Sequence, residues 1–297
     1  MKTQTFGVEI EMILDREIAA EAIRKFLGGY LIHKYDCYST IEISSTQDQV
    51  WKIMRDSSID SADNKRCELV TPILHWDDIE KLQEILRILR KKGAKINSSC
   101  GIHVHVGAEK YTGQNMKNLI NLFYSKDTIL YKALNVRHSG VDRFCKKFRE
   151  ELIESVNKFK KPTIENILDC WYEELQRPGS GRETRNHKYN SSRYHGLNLH
   201  CYSRIKTIEF RMFNSTLHAG ELKSYIHLAL AISNQALKQK NARPAKTDEI
   251  INHNNLKYTF RCWLLRLKLI GDEFKNTRMH LLKKLEGNTV GNYRQAI

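Results

Sequence analysis

Three stretches of the sequence place ionisable side chains two residues apart, with apolar residues between them. Phe6-Gly7-Val8-Glu9-Ile10-Glu11 carries two carboxylates. Gly101-Ile102-His103-Val104-His105-Val106-Gly107 carries two imidazoles, and Thr207-Ile208-Glu209-Phe210-Arg211 carries a carboxylate and a guanidinium. On an extended strand, residues at i and i+2 point to the same face. Each motif therefore presents a polar pair on one side and an apolar stripe on the other. Two adjacent carboxylates repel unless a cation sits between them or water screens them. Imidazoles can ligate a metal or hydrogen-bond a phosphate. A guanidinium beside a carboxylate can grip a phosphate through two parallel bonds.

Every pair also has a plain structural reading. Glu9 and Glu11 suit the solvated face of an edge strand, His103 and His105 suit a structural role, and Glu209 and Arg211 suit a cross-strand ion pair. What separates the readings is repetition, because the same design occurs on three strands. If the polar faces meet, they form a pocket of Glu9, Glu11, His103, His105, Glu209 and Arg211. Glu68, between Cys67 and Leu69, can add a carboxylate. Oxygen ligands with an occasional imidazole suit magnesium or manganese, whereas zinc sites more often use Cys or several His.

The elements that must position these residues are readable in outline. Strands are expected over residues 4–14, 67–70 and 101–107, with a hairpin over 30–43. Two further strands, 194–202 and 206–213, are expected as an antiparallel hairpin. Helical spacing predicts helices over 77–92, 114–135 and 219–240. A helical pair is expected within 141–176, broken near Lys161-Pro162-Thr163, and more helix within 246–286. The polar stretch 177–192, with Pro178-Gly179-Ser180-Gly181, reads as a mobile loop and candidate lid. The expected fold class is α+β: an antiparallel sheet with one polar face and helices packed on the other.

In this order and spacing, FGVEIE, CELVTP, CGIHVHVG, and RYHGLNLH followed by KTIEFRMFNSTL resemble the amidoligase family. Trp51 and Asp56-Ser57-Ser58-Ile59 resemble that family's W…DGS(L) segment. The resemblance covers roughly residues 5–240. It implies the curved antiparallel sheet of the catalytic core shared by glutamine synthetases and glutamate–cysteine ligases, with helices on the outer face. It also implies an ATP- and Mg2+-dependent carboxylate–amine ligase, with Mn2+ as the alternative metal. Carried over by motif, Glu9, His103 and Glu209 hold one metal, and Glu11 and Glu68 help hold another. His105 lies near the nucleotide phosphates. Arg211 and Arg193 bind the transferred phosphate or a substrate carboxylate, and Asn198 orients a substrate. Ser58 and Lys206 stand where the family commonly has Gly.

Composition bounds the rest. The chain has 297 residues, 41% hydrophobic and 28% charged, which is ordinary for a globular protein. Four prolines and 15 glycines leave no low-complexity linker. The division expected is a catalytic domain over 1–240 and a basic helical extension over 241–297, packed on the same domain. Carboxylates inside the first apolar stretch argue against a secretory signal, and no apolar run is long enough to span a bilayer. The seven cysteines form no C-x-x-C pair, so reduced thiols in a cytoplasmic protein are expected. Net charge is +15, and residues 238–297 hold 13 Lys/Arg against 5 Asp/Glu, or +8 of that excess. Two functions compete with the ligase: a metal-dependent phosphotransferase or hydrolase on the same carboxylates, and a nucleic-acid-binding protein driven by the basic tail. No RNA-binding or zinc-finger motif supports the second. The partners expected for the ligase are a small-molecule or peptide acid and an amine.

Overall fold

The computed structural model describes residues 1–137, 143–175, 185, 187–246 and 255–289. Its centre is strand β1, Phe6–Ile13, where Phe6, Val8, Ile10 and Met12 are buried. Beside it lie β5, Arg66–Val70, and β6, Gly101–Gly107. Outward from β5 run β4, Val50–Met54, then β3, Ile41–Ser44, and β2, Tyr30–His33. Outward from β6 run β8, Thr207–Asn214, and β7, Leu197–Asn198. The eight strands form one open sheet in the order β2-β3-β4-β5-β1-β6-β8-β7, antiparallel at every pairing.

Nine α-helices accompany the sheet among the described residues. In chain order they are α1 Arg16–Leu27, α2 Ile79–Lys91, α3 Gly113–Leu134, α4 Glu150–Asn157, α5 Ile164–Leu175, α6 His200–Ile205, α7 Ala219–Lys238, α8 Leu256–Arg266 and α9 Lys275–Leu282. The apolar face of the sheet is covered by a layer in which α1 packs on α2, α2 on α7 and α7 on α3. The reason is visible in α2, where Leu82, Ile85, Leu86 and Leu89 recur on one buried face. Burying a large core side chain such as Phe210 or Trp51 contributes about 2–3 kcal/mol, and both are 0% exposed. From residues 255–289, Phe260, Leu264, Leu281 and Leu285 join the same buried cluster. No helix among the described residues is long and apolar enough to cross a membrane.

The α+β class and the antiparallel sheet agree with the sequence reading, and three elements differ. Helix α1 was not anticipated. Asp15 starts it by accepting bonds from the Glu17 and Ile18 amides, and Ala19, Ala20, Ala22 and Ile23 form a narrow buried stripe. Strand β4 was also missed. The strand expected over 194–202 is reduced to Leu197–Asn198, because His200–Ile205 turns into α6. That helix ends at Lys206, whose φ of +54° is left-handed, the conformation for which glycine is the easiest residue. Most of the loop expected over 177–192 lies outside the described residues, as do parts of the helical expectations over 141–176 and 246–286.

Candidate active site

The strand registers set the motif residues side by side on one face. Glu11 on β1 lies directly opposite Glu68 on β5, and Glu9 lies opposite His103 on β6. One strand further, His105 lies opposite Glu209 on β8, and Glu209 is in turn opposite Asn198 on β7. Opposed residues in a sheet are the closest cross-strand neighbours. One row therefore runs from Glu68 through Glu11, Glu9, His103, His105 and Glu209 to Asn198.

A register shift shapes the far end of the row. Ile102 pairs with Phe213 and Val104 with Phe210, so Arg211 and Met212 share the position opposite His103. Such a bulge bends a strand and re-aims a side chain. Here it leaves Arg211 on the polar face, where its Nη1 donates to Glu209 Oε1 at 2.5 Å and its Nε to the Phe144 carbonyl at 3.3 Å.

Around Arg211 the contacts are close. His103 Nδ1 is 2.9 Å from Glu9 Oε2 and 3.4 Å from Glu209 Oε1. His105 Nε2 is 3.3 Å from Glu9 Oε1, and its Nδ1 is 3.2 Å from Thr207 Oγ1. Glu11 Oε2 accepts from the Gly101 amide at 2.6 Å. The Glu209 side chain is 2% exposed and that of Glu9 27%, so the cluster meets solvent at the Glu9 end.

The electrostatics divide the carboxylates into two kinds. Burial opposes ionisation of Glu9, yet His105 and His103 outweigh it and hold the carboxyl well below its ordinary range. Burial likewise opposes ionisation of Glu209, but Arg211, His105 and His103 bring it down to about 2. His105 is pushed down by burial and pulled harder upward by Glu9 and Glu209, ending well above the usual imidazole value. On the other side, burial and the nearby Asp56 push Glu11 up to about 7, against the pull of His103. Burial, Glu9, Glu11 and Asp56 drive Glu68 well above the carboxylate range. The Glu11–Glu68 end of the row is short of positive charge.

That deficit bears on metal binding. Glu9, His103 and Glu209 each offer a ligand atom within 4.8 Å of the others, and so do Glu11, Glu68 and His103. His103 belongs to both groups. Four carboxylates and one imidazole are the hard, oxygen-rich donor set that suits magnesium or manganese. A cation at the Glu11–Glu68 end would offset the burial and neighbouring negative charge that hold both groups above their ordinary values.

Two residues expected at the site sit differently. Asn198 is 0% exposed, and its Nδ2 donates to Glu209 Oε2 at 2.6 Å while its Oδ1 accepts from the His200 amide. Its polar atoms are engaged by Glu209 and the His200 amide, so in this structure it positions the Glu209 carboxylate. Arg193 donates to the Lys188 carbonyl at 3.3 Å and stacks over Tyr189 and Tyr194. Among the described residues, no contact joins it to the row. Two further residues join the site. Asp56 adds negative charge to Glu11 and Glu68 from the segment after β4. Cys201, in α6, donates to Glu209 Oε2 at 3.2 Å. The DGS-like motif was the available signal for Asp56, whereas nothing in the spacing pointed to Cys201.

The antiparallel sheet thus gathers carboxylates, imidazoles and a buried guanidinium on one face, with helices on the other. The family model described as "Putative amidoligase enzyme" matches residues 2–233, and the chain belongs to this amidoligase family of ligase-type enzymes. No curated protein matches the sequence.

Proposed function

We propose that the chain is an ATP- and magnesium-dependent carboxylate–amine ligase, with manganese as the alternative metal, which forms an amide through an acyl phosphate. One observation carries the reading: two overlapping oxygen-rich ligand groups lie beside a buried arginine on the face of the central strands. The reading takes this sheet as a form of the platform found in glutamine synthetases and glutamate–cysteine ligases. Residues 1–240 would be the catalytic unit and 241–297 a basic helical extension. The substrates would be a small-molecule or peptide acid and an amine.

Glu9, His103 and Glu209 would hold one divalent ion, and Glu11 and Glu68 a second. Bound ions would neutralise phosphate oxygens and so favour attack by an anionic carboxylate. The protein's own groups have distinct tasks. Arg211 supplies a fixed positive charge for the transferring phosphoryl group or the substrate carboxylate, at a site where burial strengthens electrostatics. Glu209 holds that guanidinium in place, and Asn198 holds Glu209. His105, protonated between Glu9 and Glu209, adds a second positive charge near the phosphates. No enzyme nucleophile is required, because the substrate carboxylate attacks the γ-phosphorus, ADP leaves, and the amine then displaces phosphate.

Turnover in heavy-oxygen water tests this reading, using ATP, magnesium and pooled amino acids, short peptides and polyamines. A ligase releases phosphate whose new oxygen comes from the substrate carboxylate, so the phosphate stays unlabelled. Phosphate labelled from water, released without need of an amine, would replace the ligase reading with a hydrolase.

A further inference from the structure

We propose that His105, Cys201 and Glu209 form a thiophilic cation site of the zinc class, which competes with the catalytic metal for Glu209. The three side chains come from β6, α6 and β8, and each offers a ligand atom within 4.8 Å of the others. One sulfur, one imidazole nitrogen and one carboxylate oxygen make a zinc-type donor set. Magnesium, which prefers all-oxygen octahedral coordination, has no use for the thiolate. The site is chemically distinct from the oxygen-rich groups yet shares Glu209 with one of them.

The surroundings of these donors support the assignment. His105 spends Nδ1 on the Thr207 hydroxyl at 3.2 Å, while its Nε2 is buried with no aligned hydrogen bond. A ligating histidine commonly has its other ring nitrogen fixed in this way. Asn198 Nδ2 reaches both remaining donors, Glu209 Oε2 at 2.6 Å and Cys201 Sγ at 3.4 Å. The Cys201 thiol donates to Glu209 Oε2 at 3.2 Å, so a proton lies between the two atoms that a cation would bridge. On binding, Sγ and His105 Nε2 would each release a proton to solvent, and a divalent ion would take their place without change of net charge.

The competition for Glu209 rests on the ligase reading, but the cation site itself does not. Glu209 turns Oε2 to Cys201 and Oε1 to His103, so the two ions would share the charge of one carboxylate and repel each other, and zinc at His105–Cys201–Glu209 would weaken magnesium binding and slow turnover.

The experiment is a cobalt(II) titration of the full chain with reduced thiols, followed by absorbance. Wild type should develop a near-ultraviolet thiolate-to-cobalt band that saturates at one ion and is displaced by zinc. Cys201→Ser and Cys201→Ala, checked for folding by circular dichroism, should lose the band and bind cobalt about tenfold or more weakly. A band that persists in both variants, or its absence from wild type at saturating cobalt, would overturn the site. A magnesium titration against bound cobalt tests the shared carboxylate. The apparent cobalt affinity should fall as magnesium rises, and an unchanged affinity would overturn the competition. If the band behaves as expected but no amine-dependent turnover exists, the ligase reading fails while the cation site stands.

Discussion

Glu11 and Glu68 occupy directly opposed positions on neighbouring antiparallel strands, two carboxylates where a sheet ordinarily avoids like charge. Both lie above the usual carboxylate range, Glu11 at about 7 and Glu68 higher in direction. A fold that keeps such a pair at its centre carries a cost that a cation can remove. This relationship makes the response of stability to added divalent ions the most direct property to measure.

The sign of the effect follows from linkage. A carboxyl whose value is raised on folding stabilises the native state at low pH and loses that contribution as pH rises past its unfolded value. For Glu11 the window runs from 4.5 to about 7, and the shift is worth on the order of 3 kcal/mol once ionisation is complete. Without divalent ions, the contribution of this pair to the melting temperature should fall through that window. Magnesium or manganese should restore it, and Glu68→Gln should raise the ion-free melting temperature while shrinking the response to metal. Thermal melts over a pH series, with and without chelator, measure both effects.

Arg211 neutralises a carboxylate that is 2% exposed. Arg211→Ala should destabilise the ion-free protein by about 3–5 kcal/mol, since it leaves a buried charge without its partner. The double variant Arg211→Ala/Glu209→Gln should recover much of that loss without recovering activity. Urea denaturation of the four proteins completes the cycle.

A separate pH dependence comes from His227, which is buried, stacked on Trp76 at 4.7 Å and paired with Thr277 at 2.8 Å. Burial, with Lys223 and Lys2 nearby, lowers it to about 3. A histidine kept neutral in the native state but protonated when unfolded costs stability as pH falls. The loss should begin near pH 6.5 and continue toward about 3, at roughly 1.4 kcal/mol per pH unit for one proton. His227→Phe should remove that slope. Denaturation of wild type and His227→Phe at several pH values reads it as the difference in slope, in which the carboxylate effects common to both cancel.

Lys206 caps α6 with a left-handed backbone, φ +54°. Lys206→Gly should stabilise the fold by up to about 1 kcal/mol, less the contact of its ammonium with the Tyr202 ring at 4.5 Å. A melting-temperature comparison at fixed metal concentration gives the net value.

Much of the polar row was legible because period-two spacing fixes which side chains share a face. That rule placed Glu9 with Glu11, His103 with His105, and Glu209 with Arg211. What spacing alone cannot convey is register: the β5–β1–β6–β8 neighbours emerge only when the strands pair. The bulge at Arg211 and Met212 is invisible for the same reason. Helix α1 was missed because its buried face is largely alanine, a weak hydrophobic signal. The strand expected over 194–202 includes Cys201 and Tyr202, good strand formers, and tertiary context overrides that preference by turning His200–Ile205 into α6. Cys201 acquired neighbours only through this turn into α6, beyond what cysteine spacing can reveal.

The most direct test of the central claim is ADP formation by wild type and Glu209→Gln, with ATP and magnesium and the acid and amine pools added separately and together. The ligase account predicts ADP formation by wild type that requires both pools and the metal, and its loss in the variant. ADP formation that ignores the amine, or survives undiminished in Glu209→Gln, would contradict it.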